Sequence, residues 1–256
     1  MRITFLGTGT SYGIPMPGCD CAVCRSPDPR DRRFRTAILV EAAGRTLLID
    51  TPPDLRSQCL RQNIRRIDGV LMTHAHADHV FGFDDLRAYT NRMPEPMPVW
   101  ASAGTARVLK KFFDYLDQPP IPGTSLARIQ LHIPSGPFEF QGIRLTPLPA
   151  EHGRADMIGW RIEQGGRTFV AIPDCKSLPA ETLALCRGAD LAVVDALRIR
   201  PHPTHMNFAE AVPLLREIGA RRSLVIHLCH EVSHVQAEQL LPAGMVPAHD
   251  GLQIEL

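Results

Sequence analysis

The chain has 256 residues, enough to bury a substantial core as one large domain or two small ones. Hydrophobic residues make up 44% and charged residues 21%, which excludes disordered and fibrous classes. No run approaches the roughly 18 apolar residues of a membrane span, and a net charge of +1 gives no global electrostatic case for nucleic acid.

The opening Met1–Leu6 is too short in apolar character for a signal segment and reads as a first strand. Three of the seven cysteines crowd into Cys19-Asp20-Cys21-Ala22-Val23-Cys24. That crowding speaks against a secreted disulfide framework and for metal thiolates in a reducing compartment, so a cytoplasmic location is expected. Short apolar, β-branched runs then recur at Ile3–Gly7, Ala37–Val40, Thr46–Ile49, Gly69–Met72, Pro98–Ala101, Ile129–Ile133, Ile143–Leu148, Ile158–Ile162, Thr168–Ile172, Leu191–Val194 and Leu224–Ile226. Three helical patterns lie among them. Gly104–Leu116 places Val108, Leu109, Phe112, Phe113 and Leu116 on one face. Leu178–Arg187 follows Ser177 as N-cap and stops at Gly188, and Phe208–Ile218 follows Asn207 as N-cap with Pro213 unusually late. This order fits two sheets with helices outside better than one doubly wound sheet. The Pro-rich stretch 119–123 reads as a loop joining two halves of one domain.

The sharpest motif is Thr73-His74-Ala75-His76-Ala77-Asp78-His79, directly after the run Gly69–Met72. In extended backbone His74, His76 and Asp78 point the same way, and His79 can reach a second centre as the chain turns into a helix. Imidazole and carboxylate suit borderline-soft divalent metals, and four such groups at a strand end can build a two-metal cluster. His152, Asp174 and His227 each follow an apolar run, where α/β folds place their sites. Asp50 likewise ends Thr46–Ile49.

Together these residues resemble the metallo-β-lactamase-fold hydrolases over essentially the whole chain. The resemblance implies an α/β fold, a four-layer αββα sandwich, as a single domain over residues 1–256 with a zinc-binding loop at 19–24. It implies that His74, His76 and His152 hold one active-site metal, Asp78, His79 and His227 the other, and that Asp174 bridges both. Asp50 matches the buried Asp that orients a ligand.

Three thiols in Cys19-x-Cys21-x-x-Cys24 want a fourth ligand for a closed zinc site, and His227-Leu228-Cys229-His230 offers His230 or Cys229. This combination resembles the PhnP-like phosphodiesterases of the carbon–phosphorus lyase pathway, which implies His230 as that ligand. Shared with them are Leu6-Gly7-Thr8-Gly9-Thr10, Leu86-Arg87 and the late Asp250-Gly251. The loop Gly7–Gly13 reads equally as amides facing the metal edge or as a structural turn. Arg87 is expected to pair internally.

The resemblance further implies that His205, 22 residues before His227, acts on the leaving group; His202 competes on spacing alone. The expected activity is hydrolysis of small, in some cases cyclic, phosphodiesters by hydroxide held between two zinc or manganese ions, with Asp78 and His205 as catalytic residues and one structural zinc. Expected partners are a small-molecule phosphodiester, with neither membrane nor nucleic acid; a homodimer is compatible. Two alternatives are a tRNA 3′-processing endonuclease, weakened by the lack of a basic Gly-rich arm, and a non-catalytic metal-binding relative as in pyrroloquinoline quinone biosynthesis, weakened by the full ligand set.

Overall fold

Period-two alternation decides how the strands are used. In the computed structural model, which describes residues 1–118 and 123–256, the chain lays strands β1 (Arg2–Gly7), β2 (Ala37–Ala42), β3 (Arg45–Ile49), β4 (Gly69–Leu71), β5 (Met97–Trp100) and β6 (Ile129–His132) side by side in one sheet. Strands β7 (Phe138–Phe140), β8 (Ile143–His152), β9 (Ala155–Gln164), β10 (Arg167–Ile172), β11 (Leu191–Asp195), β12 (Arg222–Ile226) and β13 (Met245–Pro247) make the second. The last strand, β14 (Gln253–Glu255), returns to pair with β1 in the first sheet. Each sheet begins antiparallel and becomes parallel, from β3 onward in the first and from β10 onward in the second.

Ile3, Phe5, Leu47 and Ile49 face Leu145, Trp160, Phe169 and Val193 in the core between the sheets. The alternate residues turn outward. Leu39, Leu48 and Val70 pack under helices α1 (Leu55–Arg61), α2 (Ala77–Val80), α3 (Arg87–Thr90) and α4 (Ala103–Phe112). Val170, Ile172 and Val225 pack under α5 (Ala180–Cys186), α6 (Phe208–Ile218) and α7 (His234–Leu240). The layers are therefore αββα. Among the described residues no helix is long and apolar enough to cross a membrane.

Three local expectations need correction. Helix α4 ends at Phe112 and a 3-10 turn, Asp114–Asp117, follows. Its buried positions are Thr105, Ala106 and Leu109, while Phe112 stands 49% exposed, because packing on the sheet selects a face centred on residues 105 and 109. Helix α5 starts at Ala180 with Pro179 in the cap position; Ser177 instead bridges to Glu151. Helix α6 has the expected bounds, with a capping box between Asn207 and Glu210, and runs through Pro213. The loop expected at 119–123 falls largely on Pro119, Pro120, Ile121 and Pro122, outside the described residues.

The two sheets are also joined by a polar contact. The fully buried Trp160 of β9 donates its indole N–H to the Met72 carbonyl at 3.1 Å, just ahead of the histidine motif. Trp160→Phe removes that bond and should lower unfolding free energy by about 1–3 kcal/mol, read from urea denaturation. An unchanged denaturation midpoint would contradict this role.

Candidate metal centre

Strand ends supply the donors. Asp50 follows β3, the histidine motif follows β4, His152 ends β8, Asp174 follows β10 and His227 follows β12. All lie at one edge of the sandwich. Backbone alternation does not carry Asp78 there: the chain turns helical at Ala77, so Asp78 and His79 sit on α2. The turn sends Asp78 to a different group from His74 and His76. One set of donor atoms comes from His74, His76 and His152, and another from Asp78, His79, Asp174 and His227. Within each set the atoms lie within 4.8 Å of one another.

Asp174 stands at the middle. Its Oδ2 is 3.2 Å from His79 Nε2, 3.7 Å from His74 Nε2 and 3.9 Å from His152 Nε2, and its Oδ1 is 3.0 Å from His227 Nδ1. Both Asp174 Oδ1 and His79 Nε2 are buried without a hydrogen bond. Buried polar atoms left unpaired cost stability unless something else satisfies them. Orphaned imidazole and carboxylate atoms at this spacing fit divalent metal ions.

The protonation pattern agrees. Burial pushes His74 down and His227 to about 3, and lowers His76 and His152, keeping their nitrogens free to donate electron pairs. Burial opposes charge on His79 as well, but Asp174, Asp78 and Asp50 outweigh it and raise its pKa. Burial alone would raise Asp78 and Asp174; their histidine neighbours hold both carboxyls low.

Asp50 orients this group. Fully buried, it accepts the Thr73 N–H at 2.8 Å, the Thr73 hydroxyl at 2.7 Å and His79 Nδ1 at 2.7 Å, leaving His79 Nε2 toward Asp174. Asp50 and His227 both adopt left-handed backbone, φ 64° and 61°. Such strain in non-glycine residues costs on the order of 1–3 kcal/mol and gathers at functional sites.

His205 reaches the same edge, with its ring 4.6 Å from that of His152 and stacked 5.0 Å from that of His227. Its Nδ1 lies 2.9 Å from Asp195 Oδ2. Asp195, the fully buried last residue of β11, also accepts the amides of Cys175 and Met206. Sequence reading missed Asp195, although it carries the same sign as Asp50 and Asp174: a carboxylate ending an apolar strand. Burial opposes charge on His205, and the bond to Asp195 and the charges of Asp174 and Asp195 overcome it, so its pKa is raised. His202 sits farther out, its ring 5.0 Å from that of His205 and its Nδ1 accepting the Thr204 N–H.

The thiolate loop forms a separate group of Cys19, Cys21, Cys24 and His230. His230 Nδ1 is 3.3 Å from Cys19 Sγ and 3.4 Å from Cys21 Sγ. The Cys24 amide holds Cys21 down at about 6, and burial pushes Cys24 up to about 11. Cys229 is buried outside the group, and its sulfur accepts the Glu231 N–H. The Gly7–Gly13 loop is structural: the amides of Gly9, Thr10 and Gly13 go to backbone carbonyls of Phe34, Leu228 and Thr10. Arg87 pairs with Asp84 at 3.1 Å.

Asp50→Asn keeps the shape and removes the charge facing His79. It should weaken divalent metal binding by about 10–100-fold in an equilibrium titration, with the fold retained. Unchanged affinity would mean that Asp50 only caps its turn.

A family model of the beta-lactamase superfamily domain matches residues 45–228. The crystal structure of a new diphosphatase from the PhnP family superposes with a TM-score of 0.91 at 37% identity, covering 100% of this chain and 97% of that one. A protein of Porphyromonas gingivalis named octanoyltransferase is 36% identical over 99% of this chain, which spans only 51% of that relative's length. The Zn(2+)-bound PqqB of Methylobacterium extorquens shares the fold, with a TM-score of 0.81 at 21% identity over 100% of both chains. With two helix-flanked sheets and donors gathered at one edge, the chain belongs to the PhnP family of the beta-lactamase superfamily, with the metallo-β-lactamase fold.

Proposed function

We propose that this protein is a small-molecule phosphodiesterase working with two divalent ions, zinc or manganese, and one structural zinc. His74, His76 and His152 would hold the first ion, Asp78, His79 and His227 the second, with Asp174 shared. Cys19, Cys21, Cys24 and His230 would hold the structural zinc. The observation that carries the reading is Asp174, buried among four imidazoles with an unpaired oxygen, beside a histidine–carboxylate pair. Bound there, two divalent ions would supply Lewis acidity and a water acidic enough to ionise near neutral pH. The relative described as a diphosphatase supports phosphoryl chemistry, and the one named octanoyltransferase is matched over only 51% of its length.

The chain's own residues supply the rest. Asp50 fixes His79 through Nδ1 and Asp195 fixes His205 through Nδ1. The His205 proton available to a substrate is therefore the one on Nε2. Burial pushes Asp195 up to about 7 while its bond to His205 pulls the other way, and the same bond raises His205. A leaving alkoxide needs such a proton, and His205 is the general acid in this reading. His202, its ring 5.0 Å from that of His205, belongs to none of the donor groups among the described residues, which favours His205.

If His205 protonates the leaving oxygen, its loss matters most for poor leaving groups. His205→Ala should lose about 10²–10⁴-fold in rate on an alkyl or cyclic diester, and markedly less on bis-p-nitrophenyl phosphate. Equal losses on both would contradict the acid role. No turnover of any phosphodiester with zinc or manganese loaded would overturn the function itself.

A further inference from the structure

Strands β3 and β4 run parallel and carry metal-edge donors just past their ends, so their beginnings lie at the opposite side of the sandwich. A cavity of about 650 Å³ opens there, a volume that suits a small organic molecule. Arg45 at the start of β3, Arg65, Arg66 and Asp68 just ahead of β4, and Arg92 and Glu95 between α3 and β5 line it. Pro98 and Phe140 add an apolar side. Four guanidiniums thus face one space with two carboxylates, an excess of two positive charges.

The walls of this cavity are tied together. Asp68 is buried and accepts the Thr46 N–H at 2.9 Å and Arg66 Nε–H at 2.8 Å. Arg45 reaches the same carboxylate at 3.5 Å and donates to Gln141 Oε1 at 3.2 Å, across to the β7–β8 turn. The Tyr89 hydroxyl donates to the Ile64 carbonyl at 3.2 Å. Arg128, just ahead of β6, donates to the carbonyls of Met93 and Pro94 at 3.0 and 2.9 Å and so clamps the segment that follows Arg92. One carboxylate therefore serves two guanidiniums, Arg45 and Arg66. Arg65 and Arg92 are exposed, and neither side chain has an ion pair or hydrogen bond among the described residues. Glu95, exposed as well, pairs with neither of them.

We propose that this cavity is a second ligand site, away from the metal edge, and that it takes a phosphate monoester with a flat apolar body. Arg65 and Arg92 hold the phosphate, and Pro98 and Phe140 bear the body. A guanidinium fork matches two phosphate oxygens, and a phosphate monoester carries about two negative charges near neutral pH. That charge matches the excess on the wall, whereas a monocarboxylate would leave half of it uncompensated. Arg45 and Arg66 are already engaged by Asp68, so Arg65 and Arg92 are the guanidiniums a ligand recruits without breaking a pair. None of the lining residues belongs to a metal-donor group, so the inference stands apart from the phosphodiesterase reading.

Equilibrium dialysis of the zinc-loaded protein against 2-naphthyl phosphate tests this, because it counts molecules bound per chain as well as affinity. The probe should bind saturably, phthalate should displace it much less well than phenyl phosphate does, and 2-naphthol should not displace it. The double variant Arg65→Ala, Arg92→Ala should hold one molecule fewer over the same concentration range, that site being weakened at least about tenfold, with its melting temperature retained in the absence of probe. Arg65→Gln and Arg92→Gln should each weaken the same site singly, which keeps the test independent of how the double variant folds. Asp174→Ala, which removes the shared donor of the metal edge, should keep the molecule that the arginine variants lose. Four results would overturn the inference: no saturable binding, equal displacement by phthalate, the same number bound at the same affinity by the folded arginine variants, or binding lost only with Asp174→Ala.

Discussion

Asp174 is a carboxylate taken out of water and set 3.0 to 3.9 Å from four imidazoles. Desolvating a carboxylate costs several kcal/mol unless positive charge or donors compensate. Three of those four imidazoles have lowered pKa values and only His79 is raised, so protonated histidine compensates in part. The unpaired Asp174 Oδ1 and His79 Nε2 mark what remains. Divalent cations between these groups would satisfy both, and the surrounding architecture brings the donors together at one edge.

That architecture is an outcome of strand polarity. Strands β3, β4, β8, β10, β11 and β12 all deliver their C-terminal residues to one edge, so six separate segments converge without a long loop. The left-handed backbone at Asp50 and His227 is held by what surrounds it. Asp50 is pinned by Thr73 and His79, and Leu228 beside His227 exchanges backbone hydrogen bonds with Thr8 and Thr10. His230 belongs to the thiolate group three residues past His227, so the Cys19–Cys24 loop helps fix the segment that carries a donor of the metal edge.

Much of this was legible in the sequence because each feature has a local sign. The strands announced themselves through β-branched runs, and the donors through ionisable residues at the ends of those runs. Asp195 escaped because its run was closed at Val194, one residue short. Short helices such as α1, α3 and α7 carry too few turns to be stable alone, so their formation depends on packing that no local pattern displays. The α4 face shows the same limit. Periodicity put Phe112 with the core, whereas the sheet buried Thr105 and Ala106 and left Phe112 beside Phe81. Asp78 joins the donor group by another geometry than the alternation of the sequence suggests, since a helix start at Ala77 brings it to Asp174.

In the proposed function Asp174 anchors two ions at once, and the thiolate group binds its zinc without it. Elemental analysis of metal-loaded protein, before and after Asp174→Ala, reads both statements at once. About three ions per chain should be found in the unaltered protein, and the variant should keep one tightly held zinc while losing the other two. The retained zinc reports that the variant is folded. A single ion in the unaltered protein, or three in the variant, would contradict the account.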